Sequence, residues 1–141
     1  MSKVLGLDLG TKTLGIAISD SLRIAAHGLE NYNFEFGNYK KAREHVIEIA
    51  NKESITEIAL GYPLNMSGVE GERCESVKRF KADLEKDNPN FKITLIDERM
   101  TTIIANNRLL EADLSRAKRK AVIDKMSAVV ILESYLSKGG K

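Results

Sequence analysis

Hydrophobic and polar residues alternate at the start of the chain in the pattern of a β-strand. Over the predicted strand Lys3–Leu9 and the residue after it, three leucines alternate with two glycines and Asp8. A period of two places the leucines on one face of the strand and the other three residues on the opposite face. The turn-forming sequence Gly10–Lys12 follows, and Leu14–Ser19 and Ile24–Asn31 have the pattern of two further strands. The first part of the chain therefore predicts an antiparallel β-meander.

The remainder of the chain alternates predicted helices and strands. Helices are predicted over Tyr39–Lys52, Glu72–Lys86, Thr102–Glu111 and Lys120–Leu136, and strands over Glu57–Leu60 and Lys92–Ile96. The segment Tyr62–Gly71 contains a proline, an asparagine and two glycines, which predict a loop. The order βββαβαβαα indicates an α/β fold with a mixed sheet, in which a three-strand antiparallel meander joins parallel strands and helices cover both faces.

Length and composition indicate one soluble domain. The 141 residues suit a single domain over 1–138 with a short C-terminal tail at 139–141. No apolar run approaches the roughly 20 residues that a membrane span needs, and we expect no signal peptide, because the N-terminus leads directly into a strand. Cys74 is the only cysteine, which fits the cytoplasm. The sequence shows no obvious dimer surface, so we expect a monomer or a weak dimer.

Two acidic residues occupy positions where the pattern calls for apolar ones. Asp8 lies inside an apolar strand, where an unpartnered charge carries a desolvation cost of several kcal/mol. Asp124 begins a helical stripe that continues through Ala128, Ile131 and Tyr135. Asp8 can instead accept backbone hydrogen bonds at a strand end, and Asp124 can lie at the edge of the stripe and reach water. Spacing alone leaves these alternatives open.

A third acidic site follows the strand Lys92–Ile96, where Asp97 and Glu98 are adjacent. Neighbouring side chains on a strand point to opposite faces, so these two do not easily serve one site. Spacing does not decide between them, and a charged turn leading into a helix explains both.

A divalent cation is expected if the three acidic positions converge. Two unit charges ~4 Å apart repel by about 4 kcal/mol at an effective dielectric constant near 20, so a carboxylate cluster needs a cation, and Mg²⁺ or Mn²⁺ prefers oxygen ligands. His27, His45 and Cys74 show no zinc spacing, and His45 is expected at the surface.

Four segments of the chain resemble one known family. They are Gly6–Asp20, Gly61–Gly68, Asp97–Thr102 and Asp124–Leu132, and they occur in order over nearly the whole chain. Together they resemble the YqgF, or Holliday-junction-resolvase-like, group of RNase H-fold proteins, which is regarded as the nuclease that matures pre-16S ribosomal RNA. The resemblance implies Asp8, Glu98 and Asp124 as catalytic and metal-binding residues, and thereby favours Glu98 over Asp97.

The implied reaction is hydrolysis of a phosphodiester bond with Mg²⁺ or Mn²⁺ as cofactor. Candidate substrate-binding residues are Lys12, Asn65, Arg99, Arg116, Lys118 and Arg119. Asn65 is explained equally by turn formation, and the basic run containing the last three by a solvated helix face. The chain has no Trp and no arranged set of stacking aromatics, so we expect recognition of the nucleic-acid backbone and shape rather than of bases.

The partner implied by the resemblance is RNA rather than branched DNA, with ribosomal precursor particles as a further candidate. A Holliday-junction resolvase and a non-catalytic nucleic-acid- or ribosome-binding module are the alternatives. Asp8–Thr11 also resembles the phosphate turn of actin-like ATPases and sugar kinases, but those enzymes close two lobes over at least twice this length.

Overall fold

The structure is a computed structural model that describes residues 2–63, 72–97 and 116–137, with the side chains of residue 72 and residues 116–125 left aside. Its elements, in chain order, are β1 (Val4–Leu9), β2 (Thr13–Ser19), β3 (Ala26–Asn33), α1 (Tyr39–Glu53), β4 (Glu57–Tyr62), α2 (Glu72–Asp87), β5 (Lys92–Asp97) and α3 (Arg116–Ser137). Each corresponds to an element predicted from the sequence. The predicted helix over Thr102–Glu111 lies outside the described residues.

The five strands form one mixed sheet in the order β3-β2-β1-β4-β5. The β1–β2 and β2–β3 pairs are antiparallel, whereas β1–β4 and β4–β5 are parallel. The meander with added parallel strands is therefore confirmed. The order makes β1 the central strand, and the carboxyl ends of β1, β4 and β5 lie at the same edge of the sheet, which we call the carboxyl edge.

Helices cover both faces of the sheet, as predicted. Helices α1 and α2 pack on one face over a large apolar core, to which the leucines of β1 contribute. Helix α3 packs on the other face over a smaller cluster that contains Val4, Ala17 and Ala59. The alternation read from the sequence of β1 thus separates the two cores. Among the described residues, no helix is both long enough and apolar enough to cross a membrane.

Small residues seat α3 on the centre of the sheet. Gly6 pairs with Ala17 on β2 and with Ala59 on β4, which makes a row of three small residues across the sheet. A Cβ atom built on Gly6 would lie 2.7 Å from the carbonyl oxygen of Ala128 and 2.7 Å from the Cβ of Leu132. The space beside Gly6 is therefore filled by the backbone of α3.

Helix α3 runs antiparallel to β1. Near its C-terminal end, the Tyr135 hydroxyl donates a 2.7 Å hydrogen bond to Oε2 of Glu57, and Glu57 pairs with Val4 at the start of β1. Ala128 and Leu132, earlier in the helix, lie over Gly6. The helix axis therefore carries the residues before Ala128 toward the carboxyl edge.

The structure moves some of the predicted element ends. Strand β4 continues through Tyr62, which was predicted to begin a loop, because this residue pairs with Asp97 and is buried. Strand β3 begins at Ala26 because Oδ1 of Asp20 accepts the backbone N–H groups of Ile24 and Ala25 and holds them in a turn.

Candidate functional site

Asp8 lies one residue before the end of the central strand β1 and is half-buried. It shares its face with Gly6, on which α3 packs, because Leu7 and Leu9 on either side of it belong to the core under α1 and α2. Across the β1–β2 pair it lies opposite Gly15, which adds no side chain beside it. The carboxylate is thus on the α3 side of the sheet, close to the carboxyl edge.

Asp97 ends β5 and points to the other face. It alternates in step with Ile93 and Leu95, which pack with the core under α1 and α2, whereas Ile96 packs under α3. Asp97 therefore does not share the face of Asp8, although both residues lie at the carboxyl edge. Glu98 lies outside the described residues.

Asp124 belongs to the helical backbone of α3, one turn before Ala128. The apolar stripe predicted to follow it is confirmed, since Ala128, Ile131, Leu132 and Tyr135 are all buried. Ser127 is also buried, at 1% exposure, and the small size of Ser127 and Ala128 allows the helix to pack closely on the sheet. The side chain of Asp124 lies outside the described part of the structure.

The predicted substrate-binding residues are only partly described. Lys12 is exposed in the turn between β1 and β2, where the Gly10 N–H donates to the carbonyl oxygen of Thr13 at 2.7 Å. Asn65 and Arg99 lie outside the described residues. The backbone of Arg116, Lys118 and Arg119 forms the first turns of α3, and their side chains are not described.

Arg73 is a cation at the carboxyl edge that the sequence analysis did not single out. Its Nη2 donates a 2.7 Å hydrogen bond to the carbonyl oxygen of Leu9, which follows Asp8. The bond fastens the first turn of α2 to the end of β1 and leaves further guanidinium N–H donors. A cation after a predicted loop was the only available signal, and surface cations on helices are too common for that signal to be specific.

The loop between β3 and α1 also closes on the β1–β2 turn. The Phe34 N–H donates to the Lys12 carbonyl oxygen at 2.8 Å, and the Gly37 N–H donates to the Thr11 carbonyl oxygen at 2.9 Å. Together with Arg73, these bonds occupy the carbonyl groups of Leu9, Thr11 and Lys12. The turn that follows Asp8 is therefore held from both sides.

His45 is half-buried and reaches the surface with only part of its ring, so it is less exposed than was expected of a surface residue. Its ring stacks on Tyr32 with the centroids 3.9 Å apart and the planes 8° apart, and its Nε2 pairs with Oε1 of Glu30. The reason is that α1 packs across the edge strand β3, which brings an aromatic ring and a carboxylate to this position. Residues distant in the chain supply both contacts.

A second polar cluster lies at the end of the sheet opposite the carboxyl edge, where β1 and β4 begin. Arg23 is buried and donates to both carboxylate oxygens of Glu57, at 2.8 and 3.2 Å, and Glu57 also accepts the Tyr135 hydroxyl. Hydrogen bonds from Arg23 lower the pKa of Glu57, and burial raises the pKa of Tyr135. This cluster ties the C-terminal end of α3 to the sheet, far along the strands from Asp8.

Among the described residues, the carboxyl edge offers only part of a ligand set for a hard cation. Asp8 offers carboxylate oxygens, the ligands that Mg²⁺ and Mn²⁺ prefer. Among the residues that the structure describes, no three His, Cys, Asp or Glu side chains are grouped to hold a metal ion. The buried Cys74 donates its thiol to the Pro63 carbonyl oxygen at 3.5 Å, which is a structural contact.

Sequence comparison identifies relatives over almost the entire chain. The family model described as "RuvX: Holliday junction resolvase" matches residues 2–138. A protein of Geobacillus sp. named "Putative pre-16S rRNA nuclease" is 46% identical over 134 residues, which cover 95% of this chain and 96% of that protein. A protein of Halalkalibacterium halodurans with the same name is 44% identical over 136 residues, which cover 96% of each chain.

Structural comparison agrees on the fold. Thermus thermophilus RuvC, solved in complex with a Holliday junction substrate, superposes with a TM-score of 0.56 and 12% sequence identity, covering 99% of this chain and 97% of that one. A second structure of Thermus thermophilus RuvC also gives a TM-score of 0.56, at 10% identity. At these identities the likeness shows a shared RNase H-like fold and carries no residue roles.

Proposed function

The chain belongs to the RuvX family, and from that premise we propose that it is a divalent-metal-dependent nuclease that hydrolyses phosphodiester bonds in ribosomal RNA precursors. The observation that carries the proposal is the position of Asp8, a half-buried carboxylate on the central strand, under a helix that runs back toward it. A carboxylate at this position offers oxygen ligands of the kind that a divalent cation prefers.

We propose Asp8, Glu98 and Asp124 as the residues that hold the cation and the scissile phosphate. Asp97 faces away from Asp8, which leaves Glu98 as the acidic residue that follows β5. Asp124 lies one turn before Ala128 on α3, and the antiparallel course of the helix runs from Ala128 toward the end of β1 that carries Asp8. The register of the strands supports the role of Asp8 and the helix direction that of Asp124, whereas the role of Glu98 rests on the resemblance of Asp97–Thr102 to the family motif.

The chemistry of this site follows from its charges. Mg²⁺ or Mn²⁺, when bound, supplies positive charge that stabilises the phosphoryl oxygens during hydrolysis. The carboxylates position the cation, and their mutual repulsion makes the site depend on it. Lys12 and Arg73 at the carboxyl edge attract and orient the phosphates on either side of the scissile bond, because a cation next to an acidic cluster offsets the repulsion of the substrate.

The names of the relatives favour pre-16S rRNA as substrate, and we place its maturation at the 5′ end and the protein in the cytoplasm as part of the proposal. The family description favours a four-way DNA junction as the second candidate. A junction presents two symmetric strands, so a resolvase is expected to act as a dimer. A binding module without activity is the third reading, and a half-buried carboxylate on the central strand is a poor group for binding phosphate alone.

The decisive experiment compares matched acidic variants. We expect Asp8→Asn, Glu98→Gln and Asp124→Asn to lose cleavage of a labelled precursor RNA in Mn²⁺ while they remain folded. Asp97→Asn is the matched control, because it removes the same charge at the same sheet edge from the other face, and it should retain activity. Full activity in Asp8→Asn would eliminate this mechanism.

Substrate choice is tested separately from the site. The same proteins are assayed on the precursor RNA and on a four-way DNA junction of equal length. Cleavage of the junction alone would replace ribosomal RNA maturation with junction resolution, and binding of either one without cleavage in Mg²⁺ or Mn²⁺ would favour the binding module.

A further inference from the structure

Phe36 is exposed at the carboxyl edge of the sheet, with 72% of its surface accessible. It lies in the loop between β3 and α1, where its neighbour Phe34 is packed against the core. Burying an aromatic ring is favourable and the core is nearby. The exposure of Phe36 therefore has to be explained by the loop that holds it.

The loop that carries Phe36 is fixed on both sides of the residue. The Phe34 and Gly37 N–H groups donate to carbonyl oxygens of the β1–β2 turn at 2.8 and 2.9 Å. Gly37 adopts a φ of 74°, which an L side chain rarely adopts, although a Cβ there would meet no atom within 4 Å. The backbone is therefore shaped to turn at Gly37, and this holds Phe36 in the open.

Two cations belong to the β1–β2 turn that this loop contacts or to the helix that holds it. Lys12 accepts the loop through its backbone carbonyl group and has an exposed side chain. Arg73 holds the other side of the same turn through Leu9. Asp8 precedes this turn on β1, so the aromatic ring, the two cations and the proposed cleavage site all belong to one edge of the molecule.

We propose that Phe36 is a stacking platform for an unpaired base of the nucleic acid, next to the phosphates that Lys12 and Arg73 contact. Aromatic rings beside cations along a strand path are the arrangement by which proteins bind single-stranded nucleic acids, since every base has a π-face and the backbone is anionic. The inference rests on the proposed function for the identity of the partner. It also changes the expectation from the sequence that bases are not contacted.

The position of the exposed Phe36 ring favours binding of a base over non-specific hydrophobic contact. Ile24 is similarly exposed, at 75%, but it lies in the β2–β3 turn at the opposite edge of the sheet. An aliphatic side chain there offers no π-face and no cation pair of this kind. Ile24 therefore serves as a matched control for an exposed apolar residue away from the carboxyl edge.

The absence of tryptophan from the sequence allows a direct test. We expect the single tryptophan of Phe36→Trp to be quenched by oligouridylate in EDTA, where cleavage cannot occur. Polyphosphate of equal charge and fully paired RNA should not quench it, and Ile24→Trp should respond to none of them. Equal quenching by polyphosphate, or no response of Phe36→Trp to oligouridylate, would overturn the inference.

Affinity gives a second measurement that does not depend on the fluorophore. Phe36→Ala should weaken binding of oligouridylate about 5- to 150-fold, the range that stacking on one aromatic ring supports. Phe36→Tyr should preserve binding, and Ile24→Ala should not change it. Unchanged affinity in Phe36→Ala would contradict the role of Phe36 and would leave the proposed nuclease function standing. Quenching of Phe36→Trp in a protein that cleaves nothing would contradict the nuclease function alone.

Discussion

Gly6→Ala tests the contact that brings α3 to the central strand. The added Cβ would lie 2.7 Å from both the Ala128 carbonyl oxygen and the Leu132 Cβ, against an ordinary contact of 3.4–4 Å. Neither atom is the end of a flexible side chain, so α3 has to retreat from β1 by roughly 0.7 Å, the shortfall from 3.4 Å. Overpacking of this kind costs about 1–3 kcal/mol and lowers Tm by roughly 3–12 °C.

The same shift of α3 should also lower the catalytic rate. If Asp124 on α3 acts with Asp8, displacing the helix misplaces the two carboxylates, and an error near 1 Å costs on the order of 10²-fold in rate. We therefore expect kcat for RNA cleavage in Mn²⁺ to fall about 10- to 100-fold well below Tm.

Leu84→Ala is the matched control for that prediction. Leu84 is fully buried in the core on the other face of the sheet, and its truncation costs about 2–5 kcal/mol without touching α3. It should lower Tm at least as much and keep kcat. Unchanged kcat in Gly6→Ala, measured beside a lowered Tm, would refute the placement of a catalytic group on α3.

Two further predictions concern charged residues at the two edges of the sheet. Glu57→Gln leaves Arg23, which is 6% exposed, without its charged partner. We expect the free energy of unfolding at pH 7, measured with denaturant, to fall by about 2–4 kcal/mol, which is less than for a fully buried pair because Glu57 is partly exposed. Because the pKa of Glu57 is lowered from 4.5, the stabilisation by this pair is complete above pH 4.5 and is lost as pH falls through the folded pKa. A stability difference between Glu57→Gln and the parent protein that is equal at pH 7 and pH 3 would contradict the role of the pair. Arg73→Ala should weaken RNA binding in EDTA and reduce the slope of log affinity against log salt by about 1, whereas Lys81→Ala, which removes a cation paired with Glu85 farther along α2, should leave the slope unchanged. Equal slopes for both variants would remove Arg73 from the substrate contacts.

One edge of the sheet anchors α3, and the carboxyl edge carries the proposed cleavage site. Arg23, Glu57 and Tyr135 anchor the C-terminal end of α3 at one edge with hydrogen bonds of 2.7–3.2 Å. The row of small residues at Gly6 then fixes how closely the helix lies on the sheet. Perturbing either contact should alter the carboxyl edge, because a helix anchored at one end moves most at the other.

The sequence by itself determined the order of elements and the faces they bury. The alternation in β1 separated the leucines of one core from Gly6 and Asp8 on the other face, and the stripe from Ala128 to Tyr135 identified the buried side of α3. These features are local, because strand and helix periods are fixed by the backbone and can be read from neighbouring residues. Asp8 stood out for the same reason, as a charge inside an apolar strand.

Only the tertiary structure decided which distant residues meet. The alternation rule set Asp97 and Glu98 apart, but the packing of Ile93 and Ile96 was needed to turn Asp97 away from the Asp8 face. Arg73 reaches Leu9 across 64 positions of the chain, and Phe36 is held at the carboxyl edge by bonds to a turn more than twenty residues earlier. Such contacts depend on sheet order and helix direction, which arise from the packing of the whole domain and leave no periodic trace in the sequence.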